Sequence, residues 1–353
     1  MRVVSISEVD PGMVIGRTIY SADGRVLLAN GVRLTPELID RLNQIGVLAL
    51  YIYDDNLKDI QIEDVVSEKT RADAIKITKD VMKNVKINPS FDLKKVLDAV
   101  DNIVDELIRN RHMAVNLIDL RAKSEYLFGH SVNVAVLSIL TGIAMEYNQL
   151  KLRALAAGAI LHDIGKSGID EKIIKKVKAL TDQEKLTMKQ HTSAGFEILR
   201  KIGGYSLLSA HVALEHHEMF DGSGYPRGLA GIEICEFARV VSIADVYDKM
   251  TTDSEGHRRL PPFQAVEIIA AKKGILYDPE VVEKFIGIIA VFPAGSEVML
   301  NTGEKAVVVE TFKDRPTKPT IRVVENHMGE KVNNTKVINL QETPELSIIS
   351  PVE

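Results

Sequence analysis

The sequence predicts a multidomain, mainly α-helical protein with a small α+β module at one end and a small all-β module at the other. Three observations predict it. Apolar residues recur at helical spacing through the long middle of the chain. Before about residue 62, short strand-like runs and a hairpin turn signal surround a single capped helix. Beyond Phe292-Pro293-Ala294-Gly295, short alternating runs are separated by Gly and Asn turns. The expected divisions are 1–62 (α+β module), 63–123 (helical linker), 124–290 (helical catalytic domain) and 291–353 (β-rich module). A chain of 353 residues is long enough for two or three domains and for a sizeable core.

In the first module, Asp23-Gly24 marks a hairpin turn between Ile19-Tyr20 and Val26-Leu27-Leu28. Thr35 caps a helix that starts at Pro36, runs toward Leu42 and ends near Gly46. Val47 to Tyr53 reads as a strand. In the linker, Asn88-Pro89-Ser90 breaks two helical stretches. After the break, Leu93, Val96, Leu97, Val100, Ile103, Val104, Leu107 and Ile108 fall on one helical face. That face suits either packing on the next domain or a homodimer seam through residues 92–110. In the long domain, Leu152 to Leu161 is an apolar, Ala-rich buried helix that Gly165 is expected to end. Tyr277-Asp278-Pro279-Glu280 restarts a helix through Phe285. Glu297 to Leu300, Lys305 to Phe312, Thr320 to Glu325 and Lys336 to Leu340 are the expected C-terminal strands.

Hydrophobic residues make up 45% of the chain and mean hydropathy is near zero, as in ordinary globular proteins. A net charge of −5 argues against broad electrostatic binding to nucleic acid polymers or anionic membranes. A small anionic substrate stays open, because bound metal ions reverse the local sign. With Cys235 as the one cysteine, no intrachain disulfide and no Cys-based zinc site is possible, and the cytoplasm is the expected compartment. The N-terminal residues do not read as a signal peptide, and no run of about 18 apolar residues reads as a transmembrane segment.

The chemistry concentrates in seven residues: His130, His162, Asp163, His191, His216, His217 and Asp245. Seven nitrogen and oxygen ligands exceed the needs of one ion and suit two. His162-Asp163 follows the buried Ala-rich segment, where an unpaired imidazole and carboxylate would be costly. Neighbouring residues on a helix point about 100° apart, so the two side chains do not converge easily on one point. A carboxylate has two oxygens, however. Asp163 is therefore expected to bridge two ions, about 3.5–4 Å apart in two-metal hydrolases, while His162 binds one. Val212-Ala213-Leu214 before His216-His217, and a Gly-rich loop after, place that pair at a helix end facing a cleft. Ligands of nitrogen and oxygen without sulfur suit iron, manganese or zinc, with nickel or magnesium also open. Lys166, one turn past His162, is a candidate to contact phosphate or protonate a leaving oxygen.

The run His130-Ser131-Val132-Asn133-Val134-Ala135, with His162-Asp163-Ile164-Gly165-Lys166, His191, His216-His217-Glu218, Asp221-Gly222-Ser223-Gly224-Tyr225-Pro226, Ile243-Ala244-Asp245-Val246-Tyr247-Asp248 and Tyr277-Asp278-Pro279, resembles the HD-GYP domain. That family is a branch of the HD-domain metal-dependent phosphohydrolases. The resemblance covers residues 124 to about 290. It implies an all-helical catalytic domain with a di-iron or di-manganese site. It also implies hydrolysis of a bacterial second messenger, chiefly cyclic di-GMP, to a linear dinucleotide or GMP by a metal-bridging hydroxide. A weakly active cyclic dinucleotide-binding protein, or a phosphohydrolase of another nucleotide such as cyclic GMP-AMP, is the alternative. Glu218, Asp221 and Asp248 are expected behind the ligands, with Glu218 and Asp248 orienting His rings. Gly224, Tyr225 and Pro226 form an expected substrate rim, with Tyr225 either stacking on a base or packing under the loop.

Two departures from the family pattern stand out. Ser254-Glu255-Gly256-His257 occupies the place of the usual Arg-Pro-Tyr-Arg, so Arg258 is the candidate phosphate-binding substitute. Members with three metals carry a glutamate four residues before the first His. Here that place is Tyr126, and Glu125 is one residue off, so two metals are expected.

Overall fold

The computed structural model describes residues 1–353 except 21–25, 46, 48, 54–63, 88–89, 114–125, 175, 177–178, 253–258, 314, 333–336 and 353. The Asp23-Gly24 turn, the Asn88-Pro89 break, Glu125, Ser254 to His257 and Arg258 lie outside the described residues.

The N-terminal module forms around a few β-branched and leucine side chains. β1 (Arg2–Ser5) lies antiparallel to β4 (Ala49–Ile52), and β2 (Ile19–Tyr20) pairs antiparallel with β3 (Val26–Leu28). Between the pairs runs α1 (Pro36–Gln44), whose first turn is satisfied by Thr35 Oγ1 accepting from the Leu38 amide at 3.3 Å. Val4, Ile15, Leu34, Leu42 and Leu50 close the core.

Two amphipathic helices follow, α2 (Glu68–Ile87) and α3 (Leu93–Arg109). Val96, Val100, Ile103, Val104 and Leu107 of α3 are fully buried. They face α2, α4 (Tyr126–Ala144) and α5 (Gln149–Ile160). Burying five such side chains is worth on the order of 10 kcal/mol by area. Most of the apolar stripe is thus buried inside the chain, with Leu97 left exposed.

The bundle is organised around α4. Val132, Val134, Ala135, Val136, Leu137 and Ile139 are all within 1% of full burial. Such burial explains a helix that is apolar on every side. Its segment Leu127–Ala144 is long and apolar enough to cross a membrane, but 78% of it is buried against the rest of the protein. Around it pack α5, α9 (Glu236–Thr251) and α11 (Pro279–Ile288), with α7 (Asp182–Leu199), α8 (Leu207–Glu215) and α10 (Pro262–Ala271) outside them. A single turn, α6 (Glu171–Ile174), leads into α7. Asp278 caps α11 ahead of Pro279.

The C-terminal module is one antiparallel sheet of β5 (Glu297–Leu300), β6 (Lys305–Glu310), β7 (Thr320–Glu325), β8 (Val337–Asn339) and β9 (Ile348–Pro351), in the order β8-β7-β6-β5-β9. The edge strand β9 is absent from the sequence expectation. The two end modules meet: Tyr51 and Val307 are buried together, and Arg2 Nη1 bonds Glu297 Oε1 at 2.9 Å.

Candidate metal centre

The dyad sits just past a helix rather than on one. α5 stops at Ile160, Leu161 caps it, and His162-Asp163 form a turn that enters a 3-10 helix, Ile164–Gly168. This corrects Gly165 as the terminator of the helix. Gly165 serves close approach instead: a Cβ there would lie 2.0 Å from the His191 carbonyl oxygen. Only glycine lets this turn press onto α7, which carries His191. His130 comes from α4 and Asp245 from α9, while His216 is the C-cap of α8, followed by His217.

These seven residues, scattered over the sequence, converge. His130, His162 and Asp245 place their ligand atoms within 4.8 Å of one another, as do His191, His216 and His217. Asp163 stands between the two groups. Its Oδ2 faces His162 Nε2 at 3.4 Å and His130 Nε2 at 4.0 Å. Its Oδ1 faces His191 Nε2 at 3.3 Å and His216 Nε2 at 3.8 Å.

Backbone carbonyls fix the rings. His162 Nδ1 donates to Ala159 O at 2.7 Å, His191 Nδ1 to Met188 O at 2.6 Å, and His216 Nδ1 to Val212 O at 3.0 Å. Each Nε2 therefore turns inward. His191 Nε2 and His216 Nε2 meet at 3.3 Å, lone pair against lone pair when both rings are neutral. His162 Nε2 and Asp163 Oδ1 are buried with no hydrogen-bond partner. Buried orphans of this kind are costly in an apo protein and natural in a cation site, so the residues fit a pair of divalent ions.

The charges agree. Burial pushes His191 down to about 4, and it holds His216 and His217 well below the usual imidazole range. Burial opposes a charge on His162 too, but Asp163 and Asp245 outweigh it and push the ring up to about 9. A proton there occupies the place a cation would take. Burial would raise Asp163 and Asp245, yet Lys166 and Lys249, with the rings, hold both carboxyls well below their ordinary value. At neutral pH the site offers carboxylates and mostly neutral imidazoles, the forms that ligate metal.

Asp248 reaches a ring as expected: its Oδ2 accepts from His130 Nδ1 at 2.7 Å. Glu218 does not. Its two oxygens accept from the Arg227 amide at 2.8 Å and the Leu229 amide at 3.0 Å, so it braces the loop. Asp221 is likewise corrected: exposed, it closes a turn by accepting from the Ser223 amide at 2.9 Å and hydroxyl at 2.6 Å. Gly224 lies so close to Glu218 and Met219 that a Cβ would come within 2.3 Å of the Met219 amide. Tyr225 stacks on His217 with ring centroids 4.8 Å apart, and Lys189 Nζ lies over the Tyr225 ring. Pro226, joined to Tyr225 by a cis peptide, is exposed at the loop edge.

Three functional contacts have no counterpart in the sequence reading. Lys166 Nζ lies 2.5 Å from Asp163 Oδ2, and Lys249 Nζ lies 2.6 Å from Asp245 Oδ2. The i,i+4 spacing of Asp245 and Lys249 is the one signal that could have revealed the second lysine. Glu215, 2% exposed, accepts from the Cys235 amide at 2.7 Å and from Arg227 and His211. It ties the end of α8, where His216 sits, to the start of α9, which carries Asp245.

Comparison with known proteins agrees with this geometry. Residues 115–281 match the HD domain family, and residues 297–353 match a KOW domain associated with the HD domain. A cyclic di-GMP phosphodiesterase of Pseudomonas aeruginosa is 30% identical over 69% of this chain and 58% of its own length. One from Thermotoga maritima is 40% identical over 44% of this chain and 43% of its own. A 3'3'-cGAMP-specific phosphodiesterase of Vibrio cholerae is 34% identical over 45% and 34%. The chain thus spans less than two thirds of the length of each of these curated relatives. The helical bundle with its converging histidines and aspartates is similar to the HD domain family over residues 115–281.

Proposed function

We propose that the protein is a metal-dependent phosphodiesterase that hydrolyses a cyclic dinucleotide, with cyclic di-GMP as the first substrate. The observation that carries this reading is Asp163, whose two oxygens face two separate groups of ligand atoms at 3.3 to 4.0 Å. His130, His162 and Asp245 would hold one ion, and His191, His216 and His217 the other, with Asp163 shared. Iron or manganese is the proposed metal, as the resemblance implies and as this nitrogen and oxygen set allows. Two bound divalent ions supply an activated water and neutralise phosphoryl charge.

The chain's own residues supply the rest. Lys166 and Lys249 bring ammonium groups to the two carboxylates, within reach of a phosphoryl oxygen at the same place. Lys166, 13% exposed, is the candidate to give the departing alkoxide its proton. Tyr225, half-buried with His217 stacked on its ring and Lys189 Nζ over it, is the candidate rim residue toward the substrate, with Gly224 and Pro226 beside it.

A second reading changes the base and leaves the chemistry intact. Relatives carry cyclic di-GMP and 3'3'-cGAMP specificities on comparable stretches of sequence, and the metal chemistry does not choose between them. Protein loaded anaerobically with iron or manganese and offered both dinucleotides tests the two together. Hydrolysis of cyclic di-GMP in preference is the expected result. Preference for cyclic GMP-AMP moves the assignment to the second reading, and tight binding with neither cleaved overturns the enzymatic one.

A further inference from the structure

We infer that Arg71 of α2, outside the segment that matches the HD domain, is a positioning residue for His130. The inference rests on the metal-centre reading above. Arg71 Nη1 donates to Asn133 Oδ1 at 2.7 Å. Asn133 Nδ2 donates to Asp248 Oδ1 at 2.7 Å, and Asp248 Oδ2 accepts from His130 Nδ1 at 2.7 Å. The far nitrogen of the same ring, Nε2, points at Asp245 Oδ1 from 2.9 Å.

The direction of this relay is set at its outer end. A guanidinium has donors only, so it must meet the oxygen of the Asn133 amide. The amide nitrogen is then forced toward Asp248. The carboxylate, with one oxygen engaged, takes the Nδ1 proton of His130 on the other and leaves Nε2 for a cation. Asn133, Asp248 and His130 are each 3% exposed or less, so water does not substitute for a lost link. Without Arg71 the buried Asn133 Oδ1 loses its donor, and the amide is held from the Asp248 side alone. The amide is then free to shift, and the carboxylate and ring it braces shift with it.

The placement of Arg71 gives the relay an input. Glu68, one turn earlier on α2, lies 3.4 Å from Arg17 Nε, and Arg17 is also paired with Asp64 and set over the Tyr51 ring. The N-terminal module thus grips the start of the helix whose next turn holds His130 in place.

Calorimetric titration of the metal-free full chain with Mn²⁺ tests the inference without recourse to turnover. The variants are Arg71→Met, Arg71→Lys, Asn133→Ala and the Arg71→Met/Asn133→Ala double. Arg71→Met is expected to keep one ion at wild-type affinity and to bind the other about ten- to a hundredfold more weakly. Arg71→Lys should recover most of the loss. The double variant should lose no more than the worse single one, as links of one chain do. Two ions at wild-type affinity in Arg71→Met, or in Asn133→Ala should the first variant fail to fold, overturn the inference alone. A wild-type protein that takes up no ion overturns the metal centre and the inference together.

Discussion

Lys249 Nζ lies 2.6 Å from Asp245 Oδ2, one helical turn along α9, in the same relation that Lys166 holds to Asp163. Each carboxylate of the centre thus carries its own ammonium group. Lys249 lies in direct contact with the centre, whereas Arg258, the substitute offered by the sequence, lies outside the described residues. Lys249→Met is expected to retain both metal ions and to lose about tenfold to a hundredfold in kcat/KM, the worth of one charged hydrogen bond. Steady-state kinetics alongside metal analysis checks this. An unchanged kcat/KM would remove Lys249 from the substrate site.

Asp163→Asn is the sharpest change at the centre. An amide offers one oxygen where the carboxylate offers two, and one of the two sides would face an NH₂ group. Bound metal should fall from two ions per chain to one or none. Hydrolysis should fall by at least about a thousandfold with it. Metal analysis of the purified variant reads the first, and a product assay the second.

Gly165→Ala should be far more damaging than its size suggests. The added carbon would come to 2.0 Å of the His191 carbonyl, which is backbone and cannot swing away. A loss of about 3 kcal/mol in stability is expected, with metal binding weakened because α7 is pushed off. Gly168→Ala, where a Cβ meets nothing within 4 Å, is the matched control and should be near neutral. Thermal melts of the pair settle the contrast.

Glu106 of α3 ties down the start of α2. It accepts from the Ser67 amide at 2.7 Å, the Ser67 hydroxyl at 3.0 Å and Thr70 Oγ1 at 2.5 Å. Partial burial would raise its pKa, but these hydrogen bonds outweigh it and hold the carboxyl below its ordinary value. The folded state therefore favours the charged form. Its contribution is whole above the unfolded value of about 4.3 and is lost as pH falls through the lowered folded value. Glu106→Gln should cost about 1 kcal/mol at pH 7, and the difference from wild type should shrink as the solution is acidified below about pH 4. Chemical denaturation at the two pH values measures it.

The helical middle of the chain is legible in the sequence because its apolar runs are long and several of its caps are explicit. Thr35-Pro36, Asp278-Pro279 and the Ala-rich run before His162 each give an element directly. The seven candidate ligands are legible for a different reason: imidazoles and carboxylates at buried helix ends need a partner, and their residue types name it. Other features depend on distances the sequence does not contain. Gly165 looks like a helix terminator until α7 is set against it. Glu218 looks like a partner for a histidine until the Arg227 and Leu229 amides turn toward it. Arg71 carries no local signal, because its meaning comes from Asn133, on a helix far away in the chain. The strand β9 is short and lies at an edge, where pairing with β5 rather than local pattern makes it a strand.

A dinuclear centre shared through Asp163 would account for cleavage of a cyclic dinucleotide. Its most direct test is metal stoichiometry measured on anaerobically purified protein during titration of hydrolytic activity with Fe²⁺ or Mn²⁺. Cyclic dinucleotide hydrolysis should appear only as the second ion per chain is bound. Full activity at one ion per chain, or with no metal bound, would contradict it.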